Sequence, residues 1–212
     1  MPVQDASHTT AAQEVIETEI NSLMAWLPDP ARLSADERRG IIARYTAVLE
    51  GNFIYWMTGT YLAVRSPKAK AIILDNLTEE VKDNHPGMLR RFTLAAHAAP
   101  SDVDRSMVDR DLENVRMFVG KLSTLELVLM MAFFEGFICK FMAYLAELAA
   151  KSGSSEMVYT DVHGVCDIAH SQGLFSAFDA EVPMAKNAPP VEKLLGGVKL
   201  LRKLIETIIR PQ

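Results

Sequence analysis

YTDVHGVCDIAHSQGLFSAF, residues Tyr159–Phe178, carries His163, Asp167 and His170 in the spacing H-x-x-x-D-x-x-H. At roughly 100° per residue, offsets of 0, 4 and 7 keep all three on one narrow helix face. Two imidazoles and a carboxylate converging there form the mixed nitrogen and oxygen set that iron, manganese or zinc favours. The competing reading is a helix surface with a local His–Asp ion pair. Only five histidines occur in the chain, and this face takes two of them.

Working outward, nearly every punctuation mark is a helix start or stop. Lys151–Ser155 is a short polar loop before this helix, which runs to about Ala180. Ser123 with Glu126 reads as a capping box opening a long apolar helix to Ala150. Ser101 starts a helix to about Val119, and Gly87–Ala98 is another. Ser66-Pro67 pairs an N-cap with a proline at the first helical position of a helix to about Asn84. His85 precedes Pro86 and so falls at a break or kink. Ser34 with Glu37 is a capping box for one long helix over Ala35–Arg65, and Thr10 caps a helix over Ala11–Leu27, ended by Pro28 and Pro30. Val182–Pro190 is a loop, and Val191–Ile209 a terminal amphipathic helix, suited to covering the bundle or pairing with a second chain. No strand pair, hairpin turn or fixed-period repeat is visible. The expectation is an all-α bundle of seven or eight helices in a single domain over 1–212, with a core of about 35–181.

Composition agrees. A chain of 212 residues with 49% hydrophobic content buries a substantial core. A net charge of −5 without a basic tract disfavours nucleic acid as a partner. Cys139 and Cys166 make no disulfide framework, so a reducing cytoplasmic setting is expected. Met1–Thr10 lacks the basic-then-apolar order of a signal peptide. Leu127–Ala150 is the strongest membrane candidate, but Glu135, Lys140 and Glu147 interrupt it. It reads instead as a buried core helix carrying a functional carboxylate.

Three further segments offer ligands. Glu50 is the only acidic residue between Glu37 and Asp75 and stands among Val48, Leu49, Phe53, Ile54 and Trp56. It is either a buried ligand or a solvent-facing side chain. Glu79-Glu80 and His85 lie in NLTEEVKDNHPGML, either a solvated helix end or a site in which the Pro86 break redirects His85. Glu135 follows eight apolar residues, and Gly136 after it permits close helix approach. A buried carboxylate there calls for a metal, or for a cation such as Lys140. His8 and His97 read as surface or capping residues. Four carboxylates and three imidazoles are more than one zinc needs, and suit two metals sharing carboxylates. The absence of any Glu-x-x-His pair argues against a ferritin-type site.

In this order of motifs the chain resembles the heme-oxygenase-like di-metal oxidases. Their superfamily also holds thiaminase-like and pyrroloquinoline-quinone-synthase-like proteins. The motifs are a Glu in the first long core helix, N-L-x-x-E followed by His, a Glu in an apolar helix, then H-x-x-x-D-x-x-H, within roughly Arg44–Phe178. The Glu80–His85 interval is shorter than family members often have. The resemblance implies a seven-helix bundle holding two irons, or manganese in place of iron, through Glu50, Glu80, His85, Glu135, His163, Asp167 and His170. It implies O₂ as co-substrate and a small amine, amino acid or carboxylic acid undergoing N-oxygenation, desaturation or carbon–carbon cleavage. It also implies a metal-dependent ordering of the His-Asp-His helix, with which Gly164 and Gly173 are compatible. The alternatives are a thiaminase-like hydrolase using Cys139 or Cys166, a heme enzyme, and a non-catalytic metal-binding bundle. Phe53, Trp56, Met57, Met131, Phe134 and Ile138 line an apolar pocket or are plain core. Arg44, Arg90 and Lys140 are anchors for a substrate carboxylate or surface charges.

Overall fold

The computed structural model describes residues 3–121 and 123–211, and the side chains of 8–121, 123–164 and 169–211. The described residues form nine α-helices joined by short turns, with no strand among them. These are α1 (Val3–Trp26), α2 (Ala35–Leu49), α3 (Asn52–Ala63), α4 (Pro67–Lys82), α5 (His85–Ala95), α6 (Asp102–Val119), α7 (Thr124–Lys151), α8 (Val158–Glu181) and α9 (Gly196–Ile209).

The organising element is α7, against which α1, α2, α3, α8 and α9 all pack. It is the one described helix long and apolar enough to cross a membrane, yet 72% of its apolar window is buried by its neighbours. Every residue from Leu127 to Glu135 is buried, so the helix is apolar because protein surrounds it. At Gly136 a Cβ would lie 2.8 Å from Ile20 Cδ1, so a larger residue there would have to displace the Ile20 side chain of α1. Helix α8 lies along α7, and α4 packs on α8. These three helices carry Glu79, Glu80, Glu135, His163, Asp167 and His170, while His85 opens α5 and Glu50 caps α2.

Most helix starts follow from local chemistry. Ser34 accepts from the Glu37 amide, and Glu37 Oε2 accepts from the Ser34 amide at 2.7 Å, which closes the capping box of α2. Ser66 caps α4 with Pro67 behind it. Ser101 and Asp104 form a box on α6 in which Asp104 is also gripped by Arg39 through two bonds of 2.9 and 3.0 Å. The expected Ser123–Glu126 box is not closed: the Ser123 hydroxyl donates to the Glu126 carboxylate, but no backbone amide of α7 bonds the Ser123 side chain. Helix α7 is held by packing.

The expected single helix over Ala35–Arg65 is two helices. Gly51 adopts φ +83°, a left-handed conformation that ends α2 at Leu49 and lets α3 restart at Asn52. Asn52 fills the gap, donating to Val48 O at 2.8 Å and accepting from Arg116 Nε at 3.0 Å. The terminal helix starts at Gly196 and not at Val191, because Val191–Leu194 is a separate 3₁₀ turn.

Helices α4 and α8 are tied at one end by Glu181, which is 1% exposed. Its Oε1 accepts from the backbone amides of Arg65 and Ser66, at 2.8 and 2.5 Å, just before α4 begins. A carboxylate there satisfies amides that have no intrahelical acceptor. Glu181→Ala is expected to lower stability by about 2 kcal/mol, read as a lower urea midpoint. An unchanged midpoint would contradict this role.

Candidate metal centre

The site sits where the C-terminal end of α4, the start of α5, the middle of α7 and the first half of α8 meet. Asn84, at φ 55°, caps α5 by accepting from the Gly87 amide at 3.2 Å. That left-handed residue turns the chain back on itself, and it overcomes the offset of five that separates Glu80 from His85 on an ideal helix. His85 becomes the first residue of α5, 3% exposed, with Nδ1 at 2.8 Å from Glu80 Oε1.

His163 comes in from α8. Its Nδ1–H donates to Tyr159 O at 2.8 Å, which leaves Nε2 directed at Glu80 Oε1, 4.0 Å away. A backbone carbonyl on one ring nitrogen fixes the tautomer and frees the other nitrogen as a ligand. Glu80, His85 and His163 are all buried, and each offers a ligand atom within 4.8 Å of the others. The His85 and His163 rings stand 4.4 Å apart, and Tyr159 packs on His163 at 4.2 Å.

Glu135, 2% exposed on α7, lines the same cavity as these three. His170 reaches it from the next turns of α8, with Nδ1 at 3.9 Å from Glu135 Oε2. The other nitrogen of His170 donates to Glu79 Oε2 at 2.8 Å. This arrangement distinguishes the two adjacent glutamates. Glu80 faces inward at 6% exposure, while Glu79 stands half exposed behind His170 as the carboxylate that orients its ring. The side chains of Asp167 and Cys166 lie outside the described residues. The backbone at Asp167 is helical, between His163 and His170.

Glu50 does not join the cluster. The break at Gly51 makes it the C-cap of α2, and its side chain leaves on the far side. There it meets Arg90 at 2.9 Å and Arg105 at 3.8 Å. Leu49 and Gly51, on either side of it in sequence, line the site cavity while Glu50 lines its neighbour. Among the other candidates, Phe53 and Ile138 form the apolar wall with Leu49, Ile54 and Leu89. Trp56, Met57 and Met131 are fully buried core, and Phe134 packs edge-on to Trp56. Arg44 is buried and donates to Ile208 O, and Lys140 donates to Asn21. Tyr159 was not singled out, although its position four residues before His163 places it on the same helix face. Its hydroxyl is 2.7 Å from that of Tyr45.

Electrostatics separate the two histidines around Glu80. Burial holds the His163 imidazole down to about 4, against a weaker opposing effect of the Tyr159 carbonyl. At His85 burial also disfavours charge, but the Glu80 hydrogen bond and the charges of Glu80, Asp83 and Glu79 together outweigh it and raise the pKa. His163 is therefore a neutral donor at every ordinary pH, while the carboxylates around His85 favour its protonated form.

No family model, curated protein sequence or solved structure matches this chain.

These shifts predict opposite pH effects on the protein treated with chelator. Unfolded His163 takes up a proton below 6.5 that the folded ring refuses down to about 4. Its contribution is present above 6.5 and lost as pH falls through that window, on the order of 3 kcal/mol. The contribution of His85 is full below 6.5 and is lost as pH rises through its raised value. Urea midpoints across this range should show His163→Gln flattening the acid side of the profile. An unchanged acid limb would refute the assignment.

Proposed function

We propose that the chain is a heme-oxygenase-like di-metal oxidase. It uses O₂ and a pair of ferrous ions to oxidise a small amine, amino acid or carboxylic acid. The observation that carries this reading is the buried convergence of Glu80, His85 and His163 within 4.8 Å, with Glu135 lining the same cavity.

The donor set fits the group. Glu80 is buried with His85 and His163 as its ion-pair partners among the described residues. A buried carboxylate set between two imidazoles suits a metal cation. Mixed imidazole and carboxylate ligation with open positions is the coordination preferred by non-heme iron. Glu80, His85 and His163 would hold one ion. Glu135 and His170 would hold the second, and the spacing of H-x-x-x-D-x-x-H assigns Asp167 to this pair. Iron held there would supply the redox chemistry by which O₂ accepts the electrons removed from the substrate.

The remaining work belongs to the chain. Tyr159 O holds the proton of His163 on Nδ1, and Glu79 holds that of His170 on Nε2, so each ring presents its other nitrogen inward. The cavity is about 30 Å³ with apolar walls from Leu49, Phe53, Ile54, Leu89 and Ile138. That is space for water-sized ligands only.

A thiaminase-like hydrolase would need a nucleophilic cysteine beside the acidic site. Of its two candidates, Cys139 lies on the groove between α1, α7 and α8, which shares no lining residue with this cavity, and the side chain of Cys166 lies outside the described residues. A non-catalytic metal-binding bundle differs from the oxidase only in its response to O₂.

Anaerobic loading with ferrous iron should give about two ions per chain, followed by O₂ consumption on mixing. Glu80→Ala, Glu135→Ala and Asp167→Ala should each abolish the consumption and lower the iron content. Stoichiometric iron without O₂ consumption would select the binding bundle. No stoichiometric iron would refute both.

A further inference from the structure

The metal cavity is too small for an organic substrate, so a substrate must occupy space next to it. A pocket of about 200 Å³ between α2, α5 and α6 shares Leu49, Pro86 and Leu89 with the cavity. Those three side chains are a common wall, and Pro86 directly follows His85. The other large pockets connect less well. The one between α1, α7 and α8, about 360 Å³, shares no lining residue with the cavity. The one on the α4–α8 seam, about 350 Å³, reaches the site only at His170 and Glu79.

The charge of the adjoining pocket is specific. Arg90 from α5 and Arg105 from α6 converge on the single carboxylate of Glu50, at 2.9 and 3.8 Å. Two guanidinium groups around one carboxylate leave an excess positive charge at the mouth. Both arginines are at least half exposed, and exposed ion pairs of this kind are weak and easily exchanged. Deeper in, the Thr46 and Thr93 hydroxyls lie 2.7 Å apart and add a polar patch to walls otherwise made by Leu49 and Leu89. The α4–α8 pocket has the opposite sign, carrying Asp75 and Glu79.

We propose that the pocket between α2, α5 and α6 is the substrate vestibule. It takes a carboxylate-bearing molecule whose carboxylate Arg90 and Arg105 hold in place of that of Glu50. The molecule's apolar portion then lies against Leu49, Pro86 and Leu89, toward the metal cavity. Glu50, on this account, is an internal competitor that occupies the seat until substrate arrives. The proposal rests on the metal-centre reading for what happens beyond the wall, but binding at the arginines does not require metal.

The test uses hexanoate as the probe, with hexylamine and hexan-1-ol as controls, titrated calorimetrically into chelator-treated full-length protein. Hexanoate should bind in preference to both controls. Glu50→Gln should tighten it about tenfold, and the Arg90→Ala/Arg105→Ala double variant should weaken it at least about tenfold. All three residues are surface-exposed, so the variants should fold, and circular dichroism checks this. Hexanoate binding that ignores the double variant would overturn the proposal. So would preferential binding of hexylamine that is lost in Asp75→Asn, which would move the substrate site to the α4–α8 seam. A parallel ferrous titration separates the two readings. Metal binding without hexanoate binding refutes the vestibule alone, and hexanoate binding without metal binding refutes the metal centre alone.

Discussion

The contact between Glu80 and His85 is the constraint on which the rest of the site depends. A carboxylate buried at the end of α4 is costly without a partner. The chain supplies one only by breaking the helix at Asp83–Asn84 and returning with His85 as the first residue of α5. The 2.8 Å bond between them fixes the angle between α4 and α5. The same carboxylate faces His163 on α8, 4.0 Å away. On the far side, α7 provides the apolar wall and Glu135. Glu80, His85, Glu135 and His163 are therefore gathered from four helices around one small cavity.

Binding residues and packing residues divide cleanly along α7 and α8. Gly136 faces α1, with Ile20 packed against it. Glu135, one residue earlier, faces the cavity. On α8, His163 and His170 each use one ring nitrogen for an orienting bond, to a backbone carbonyl in one case and to Glu79 in the other. Such orienting partners fix imidazole geometry before any ion binds. At the other end of α8, Glu181 anchors the helix to the amides that precede α4. The two helices that carry most of the donors are thus fastened at both ends.

Much of this was legible in the sequence because it is local. The caps at Ser34, Ser66 and Ser101 each depend on residues within three positions. The apolar run before Glu135 and the face spanned by His163, Asp167 and His170 need only helical periodicity. What escaped depends on backbone hand and distant partners. Nothing in LEGN says that Gly51 turns left-handed, and that single dihedral sends Glu50 away from the cavity to Arg90 and Arg105. The choice between Glu79 and Glu80 needed His170, some ninety residues away. Tyr159 was visible only after His163 had been placed, and its bond to Tyr45 is a tertiary fact. The resemblance to di-metal oxidases rests on the order of motifs, and the position of Glu50 is where the fold departs from the ligand set it implied.

The central claim is that Glu80, His85 and His163 bind a metal ion beside a second one held by Glu135 and His170. The most direct test is a crystal structure of protein loaded anaerobically with ferrous iron, using anomalous differences at the iron edge. The account predicts two anomalous peaks, one among Glu80, His85 and His163 and one between Glu135 and His170. A map with no peak at these side chains, from crystals shown to contain iron, would contradict it.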